Sequence, residues 1–181
     1  MPLPKAQRRK QQHSRLINSG AFLRDDGLWD IEARMTDIKS ETVESEVREY
    51  VPAGEPFHDI RVRITVDATL KVHDAHASID ASPFNTCPNI ADAYKKLIGT
   101  HIRPGWRAKV KGLVGGVSGC THINELLPVI ATTAFQALWS HSDESTRKQG
   151  YKVMLDSCHV WSRDGEVISK LVSAGAIEKE E

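Results

Sequence analysis

Two stretches of this chain alternate apolar and polar residues with a period of two, a pattern that fits a β-strand with one buried face. Trp29, Ile31, Ala33 and Met35 are interleaved with Asp30, Glu32 and Arg34. Ile60, Val62, Ile64 and Val66 are interleaved with Arg61, Arg63, Thr65 and Asp67. Wound as a helix, either stretch would scatter its apolar residues around the axis. A turn at Asp67–Thr69 leads into Leu70–Val72, and Ala75, Ala77 and Ile79 continue the strand after a change of phase, read as a bulge. No crossover helix separates these segments, so they predict an antiparallel meander.

The second half reads differently. Asn89 is placed to cap a helix after Pro88, with Ile90, Tyr94, Leu97 and Ile98 as its stripe and Gly99 as its end. A loop at Pro104-Gly105-Trp106 precedes a short apolar run, Val110–Val114, read as a strand. From Thr121 to about His141 the spacing of Ile123, Leu126, Leu127, Ile130, Ala134 and Leu138 predicts a long helix, with Pro128 a kink or a late first turn. The charged residues 41–56 read as a loop ending in Pro and Gly. A turn at Arg163–Gly165 lies between two short segments. Strands first and helices later predict an α+β fold, a meander packed against two or more helices. The expected organisation is a basic arm over 1–20, one domain over 21–175 and an acidic tail over 176–181.

Lys plus Arg equals Asp plus Glu at 24 each, which argues against a nucleic-acid partner. No apolar run approaches the ~18 residues of a membrane helix, and the basic start MPLPKAQRRKQQHSR has no apolar stretch behind it, so it does not read as a secretory signal. Cys87, Cys120 and Cys158 are odd in number and far apart, which fits reduced thiols and a cytoplasmic protein rather than a disulfide framework.

Three turns bring Cys and His to places where chemistry is feasible. His58-Asp59 stands directly before the best strand, where it could ligate metal or move protons; taken alone, a surface His58 with an Asp59 that caps a turn is the preferred reading. Cys87 falls just before a predicted helix, where the dipole would lower a thiol pKa, or is an inert buried Cys. The run Gly115-Gly116-Val117-Ser118-Gly119-Cys120-Thr121-His122 is the most informative. Its three glycines are costly in chain entropy, and the helix start behind them favours anions or developing negative charge, so function is preferred to a plain turn. Cys158-His159 repeats the chemistry in weaker surroundings. The sequence has no Cys-x-x-Cys, His-Glu-x-x-His, Walker loop or nucleophile elbow, which leaves nucleotide-dependent and serine-hydrolase readings without support.

The succession Arg24-Asp25-Asp26-Gly27-Leu28-Trp29-Asp30-Ile31, then Gly54-Glu55-Pro56-Phe57-His58-Asp59, then Gly119-Cys120-Thr121-His122 resembles the bacterial domain of unknown function 2889 family, from about His13 to His159. That resemblance brings no established reaction; the occurrence of its members in bacteria that degrade aromatic or acyl-CoA compounds implies such a substrate. A more distant resemblance is to the NifU/IscU-type iron–sulfur scaffold, in which one Asp and three Cys converge. Asp59, Cys87 and Cys120 fall where three of those ligands would be, whereas the first cysteine position and the serine-rich helix start are missing.

Two functions follow as expectations. The first is a lyase or isomerase acting by acid–base chemistry on a small aromatic or acyl substrate in catabolism. His58 and His122 would carry protons, Asp59 would orient His58, Cys120 would be a ligand or thiolate, and Arg15 or Arg24 would clamp a substrate anion. Trp29 and Trp106, with Phe57 and Trp161, would wall the substrate pocket or simply pack in the core. The second is a metal or iron–sulfur carrier. Its ligands would come from His58, Asp59, Cys87, Cys120 and His122, with zinc or iron as the metal. The expected partner is a small molecule, with no nucleic acid and no membrane; a homodimer is left open.

Overall fold

The computed structural model describes residues 2–177. In chain order its strands are β1 (His13–Leu23), β2 (Trp29–Lys39), β3 (Val43–Ser45), β4 (Glu49–Val51), β5 (Pro56–Val66) and β6 (Val72–Ala81). The four long strands form one antiparallel sheet in the order β1-β2-β5-β6, and β3 and β4 form a separate hairpin. The helices are α1 (Trp106–Val114), α2 (Thr121–Trp139), α3 (Glu144–Met154) and α4 (Glu166–Ser173). Three 3-10 segments, Cys87–Leu97, Gly116–Ser118 and His159–Trp161, complete the described elements. The fold is α+β.

Register explains why the two alternating stretches dominate the sequence. Ile31 lies opposite Ile64, Ala33 opposite Val62 and Met35 opposite Ile60, so both stripes face one side and are buried there. Val72 and Ala75 extend this face onto β6, and register shifts between Asp59 and Ile60 and between Thr65 and Val66 supply the change of phase. Ile123, Leu126, Leu127 and Ile130 of α2 are fully buried and add the helical part of the core. At roughly 25 cal/mol per Å² of apolar surface, each such side chain contributes on the order of 2 kcal/mol. Among the described residues no helix is long and apolar enough to cross a membrane.

Several local expectations need correction. Residues 13–20, read as arm, form most of β1 in full register with β2. The strand was missed because it is an edge strand whose inward positions Arg15, Ile17, Ser19 and Ala21 are only partly apolar. The 41–56 loop contains the β3–β4 hairpin. The expected Val110–Val114 strand is the second half of α1: Trp106, Val110 and Val114 are buried at a spacing of four, a helical stripe. The segment expected to start at Asn89 begins at Cys87 as a 3-10 helix with Thr86 at its cap. Of the acidic tail, residues 178–181 lie outside the described residues.

The chain divides into two compact units, one ending at Ala134 and the other starting at Phe135. In the second, Trp139 packs on Tyr151 and Tyr151 stacks on Trp161, with ring centroids 5.4 and 5.9 Å apart. Gly150 is required there, since a Cβ would lie 2.4 Å from the Trp139 ring.

Candidate functional site

The buried stripe of β2 does not stop at Met35. The next inward residue is Asp37, only 2% exposed, and it pairs in register with Arg15 on β1 and His58 on β5. Three polar side chains thus form one row across three adjacent strands, on the face that is otherwise the core. Burying a carboxylate is costly unless it is paired and hydrogen-bonded, and Asp37 is both. Its Oδ1 accepts from Arg15 Nε at 2.8 Å and lies 3.2 Å from His13 Nε2. Its Oδ2 accepts from Arg15 Nη2 at 2.7 Å and lies 3.0 Å from His58 Nδ1. Arg15 Nη1 in turn reaches Glu125 on α2.

Burial alone would raise the Asp37 carboxyl, but the bonded Arg15 guanidinium overrides it, with help from His58, and holds the group at about 2. The same fork raises Arg15 above its ordinary value. His58 moves the other way: burial and the neighbouring His122 lower it, against the pull of Asp37. Because Asp37 is ionised, the proton on the His58–Asp37 contact belongs to His58 Nδ1. The Nε2 of His58 is then left with a bare lone pair.

The first turn of α2 supplies the remaining groups. The His122 ring lies 4.0 Å from that of His58, tilted by 38°, and its Nδ1 is 3.9 Å from Cys120 Sγ. Phe57 presents an edge to His58 at 5.2 Å. Cys120 is held by its backbone: its N–H donates to the buried Tyr94 hydroxyl at 2.9 Å, and that hydroxyl donates to Asn124 Oδ1 at 2.8 Å. Asn124 closes the loop by donating to the Val114 carbonyl at 2.7 Å. Burial pushes the Tyr94 hydroxyl up to about 12, so it stays protonated.

These contacts also explain the glycines. A Cβ on Gly119 would lie 2.0 Å from the Val114 carbonyl oxygen, and one on Gly115 would lie 2.2 Å from that of Lys111. Gly116 has φ +56°. Close packing and one left-handed residue therefore account for all three, and the loop positions Cys120 and His122 without its glycines taking part in chemistry.

The expected site residues divide into those brought together and those kept apart. His58, His122, Cys120 and Arg15 converge. Asp59 does not: it points to the opposite face of the sheet, where Arg34 grips both its oxygens at 2.8 and 2.6 Å and lowers its pKa. Asp37, not Asp59, orients His58. Arg15 is spent on Asp37 and Glu125, and Arg24 pairs with Asp26 and Asp30 at the β1–β2 turn. Trp29 sits in the core at that same end of β2, eight residues or roughly 27 Å of strand from Asp37. Trp106 is also buried, its indole N–H donating to Thr100 Oγ1 at 3.0 Å. Cys87 is half-buried at the start of its 3-10 helix, and Cys158 is exposed in the second unit.

Among the described residues, the group of three that could hold a metal is Asp37, His58 and His122, with one donor atom from each within 4.8 Å of the others. Asp59, Cys87 and Cys120 do not join it. Asp37 fits such a role poorly as a direct ligand, since all four acceptor positions of its carboxylate face Arg15, His13 or His58. It is better suited to orient a ligating His58, as carboxylates behind metal-bound histidines do. The signal that would have found Asp37 was present in the sequence: it is the next step of the Trp29, Ile31, Ala33, Met35 alternation, with a carboxylate where an apolar residue belongs.

A family model described as a protein of unknown function (DUF2889) matches residues 13–136. The match covers β1 through α2 up to residue 136, and so includes Arg15, Asp37, His58, Cys120 and His122. No curated protein and no solved structure matches, and the likeness to the NifU/IscU scaffold is not shown.

Proposed function

The chain belongs to this DUF2889 family, and from the geometry of its buried row we propose that it is a small enzyme, of lyase or isomerase type, that moves protons on a small aromatic or acyl substrate. The observation that carries this reading is the 3.0 Å contact between His58 Nδ1 and the buried, ionised Asp37, with His122 against the same ring. Asp37 fixes the tautomer of His58 and stabilises the imidazolium formed when Nε2 takes a proton. Arg15 keeps Asp37 ionised, so the proton stays on the imidazole rather than passing to the carboxylate. Burial and the neighbouring His122 ring, 4.0 Å away, both disfavour a charge on His58. One ring can then accept a proton from substrate while the other delivers one elsewhere, which is the sequence a lyase or isomerase needs.

A panel of simple carbonyl acids and thioesters incubated in D2O tests this by loss of the α-C–H signal in proton NMR. Exchange is expected with the wild type and is reduced about 100-fold or more in His58→Gln. Equal rates for the two proteins across the whole panel would overturn the reading. A second reading, in which His58 and His122 hold a divalent metal with Asp37 beside them, is favoured by the donor atoms of the three residues lying within 4.8 Å of one another. Stoichiometric zinc or iron in the purified protein, lost in His122→Ala, would select it.

A further inference from the structure

Between Ala93 and Asn124 the chain has no Asp or Glu, yet it carries Lys95, Lys96, Arg103, Arg107, Lys109 and Lys111. In a protein whose charges balance, this local excess leaves the remainder net acidic. The fold gathers part of it around one concavity. Lys96, His101, Arg103 and Lys109 line a cleft of about 590 Å³, with Ile98 and Trp106 as apolar wall and no acidic residue on it.

The cations of this cleft differ from the arginines of the main sheet. Arg15, Arg24, Arg34, Arg61 and Arg63 each face a carboxylate within 4 Å. Among the described residues, Lys96, Arg103 and Lys109 have no ion pair and no side-chain hydrogen bond. Like charges around one cleft repel, and among the described residues no carboxylate lines the cleft or pairs with them; an anion from solution would offset them.

The backbone adds to the same polarity. The cleft includes Gly105, which caps α1 at φ +89° and has no side chain to satisfy the helix. No acidic residue stands in the first turn of α1. Trp106 N–H bonds to Arg103 and Lys109 N–H to Gly105, but among the described residues the amides of Arg107 and Ala108 have no backbone acceptor. Free amides at a helix start, beside Arg103 and Lys109, match an oxyanion with several acceptor oxygens.

We propose that this cleft binds the phosphate or diphosphate group of a small soluble ligand, at a site separate from the His58 row. A small ligand suits a concave site with an apolar wall better than a nucleic-acid backbone, which would follow an extended basic stripe.

Titration with inorganic pyrophosphate, followed by amide NMR at low ionic strength, tests the proposal, with ADP as a second probe. Saturable shifts are expected in Gly105–Lys109 with either probe. Arg103→Gln with Lys109→Gln should weaken binding about tenfold or more. Replacing Lys5, Arg8 and Arg9 of the N-terminal segment by Gln should leave binding unchanged, as should His58→Gln. Lys96→Glu provides an independent variant, expected to weaken binding as well. Shifts that do not saturate would overturn the proposal, as would chloride at matched ionic strength reproducing them. Equal loss in the Lys5/Arg8/Arg9 variant would reduce the effect to general charge. A single-stranded oligonucleotide or an anionic vesicle binding through Arg103 and Lys109 more tightly than both small probes would assign the cleft to a macromolecular surface instead.

Discussion

Replacing Asp37 by Asn removes the charge at the centre of the row while nearly preserving its shape, and the structure sets the size and pH dependence of the effect. Asp37 is 2% exposed and held at about 2, against an ordinary value of 3.8. A depressed carboxyl contributes stability that is present above its unfolded pKa and lost as pH falls through its folded pKa. The difference corresponds to about 2.5 kcal/mol at pH 7 and about 1.3 kcal/mol at pH 3. The Asn variant lacks this contribution and leaves Arg15 facing an amide, so at pH 7 it should be less stable by about 3 kcal/mol. Urea denaturation reads this by fluorescence of Trp29 and Trp106, with Trp139 and Trp161 of the second unit replaced by Phe in both proteins. The gap between wild type and Asp37→Asn should fall by about 1.2 kcal/mol between pH 7 and pH 3. A gap that stays constant over that range would refute the claim that Arg15 and His58 hold Asp37 ionised.

Other consequences follow from the same contacts. His58 is lowered below its ordinary 6.5, so the unfolded chain takes up its proton first and stability drops as pH falls below about 6.5; denaturation curves for His58→Gln should lack this drop. Gly119→Ala drives a Cβ into the Val114 carbonyl and should cost about 3 kcal/mol, whereas Gly112→Ala, with nothing within 4 Å inside α1, should stabilise by about 1 kcal/mol. Thermal denaturation of the two variants separates them by sign. Tyr94→Phe strands the Cys120 N–H and should cost about 2 kcal/mol, measured by the same melts. Asp59→Asn, on the far face of the sheet, should leave the NMR titration of His58 unchanged.

The elements legible in the sequence were those with clean periodicity. β2, β5 and α2 each carry a clear apolar stripe, in β2 from Trp29 to Met35 where Asp37 ends it, and their faces follow from it. β1 was obscured because its inward positions include Arg15 and Ser19, residues that look like surface until register sets them opposite Asp37 and Ala33. In α1, Gly112 interrupts the run and masks the spacing of Trp106, Val110 and Val114. The site was half visible. Cys120 and His122 announced themselves beside a glycine-rich turn, and His58 beside the alternating stretch, although it lies within β5 rather than before it. Its partner was misassigned because adjacency in sequence suggested Asp59, whereas successive residues of a strand face opposite ways. Asp37 became the partner only through pairing across strands, which no single segment displays.

The most direct test of the account is the protonation of the two imidazoles, read by long-range proton–nitrogen-15 correlation spectra of the wild-type protein at pH 7. His58 should be neutral, with its proton on Nδ1 and a bare Nε2, and should titrate below 6.5. A His58 protonated on Nε2, or still charged at pH 7, would contradict the proposal that Asp37 poises this ring as a base.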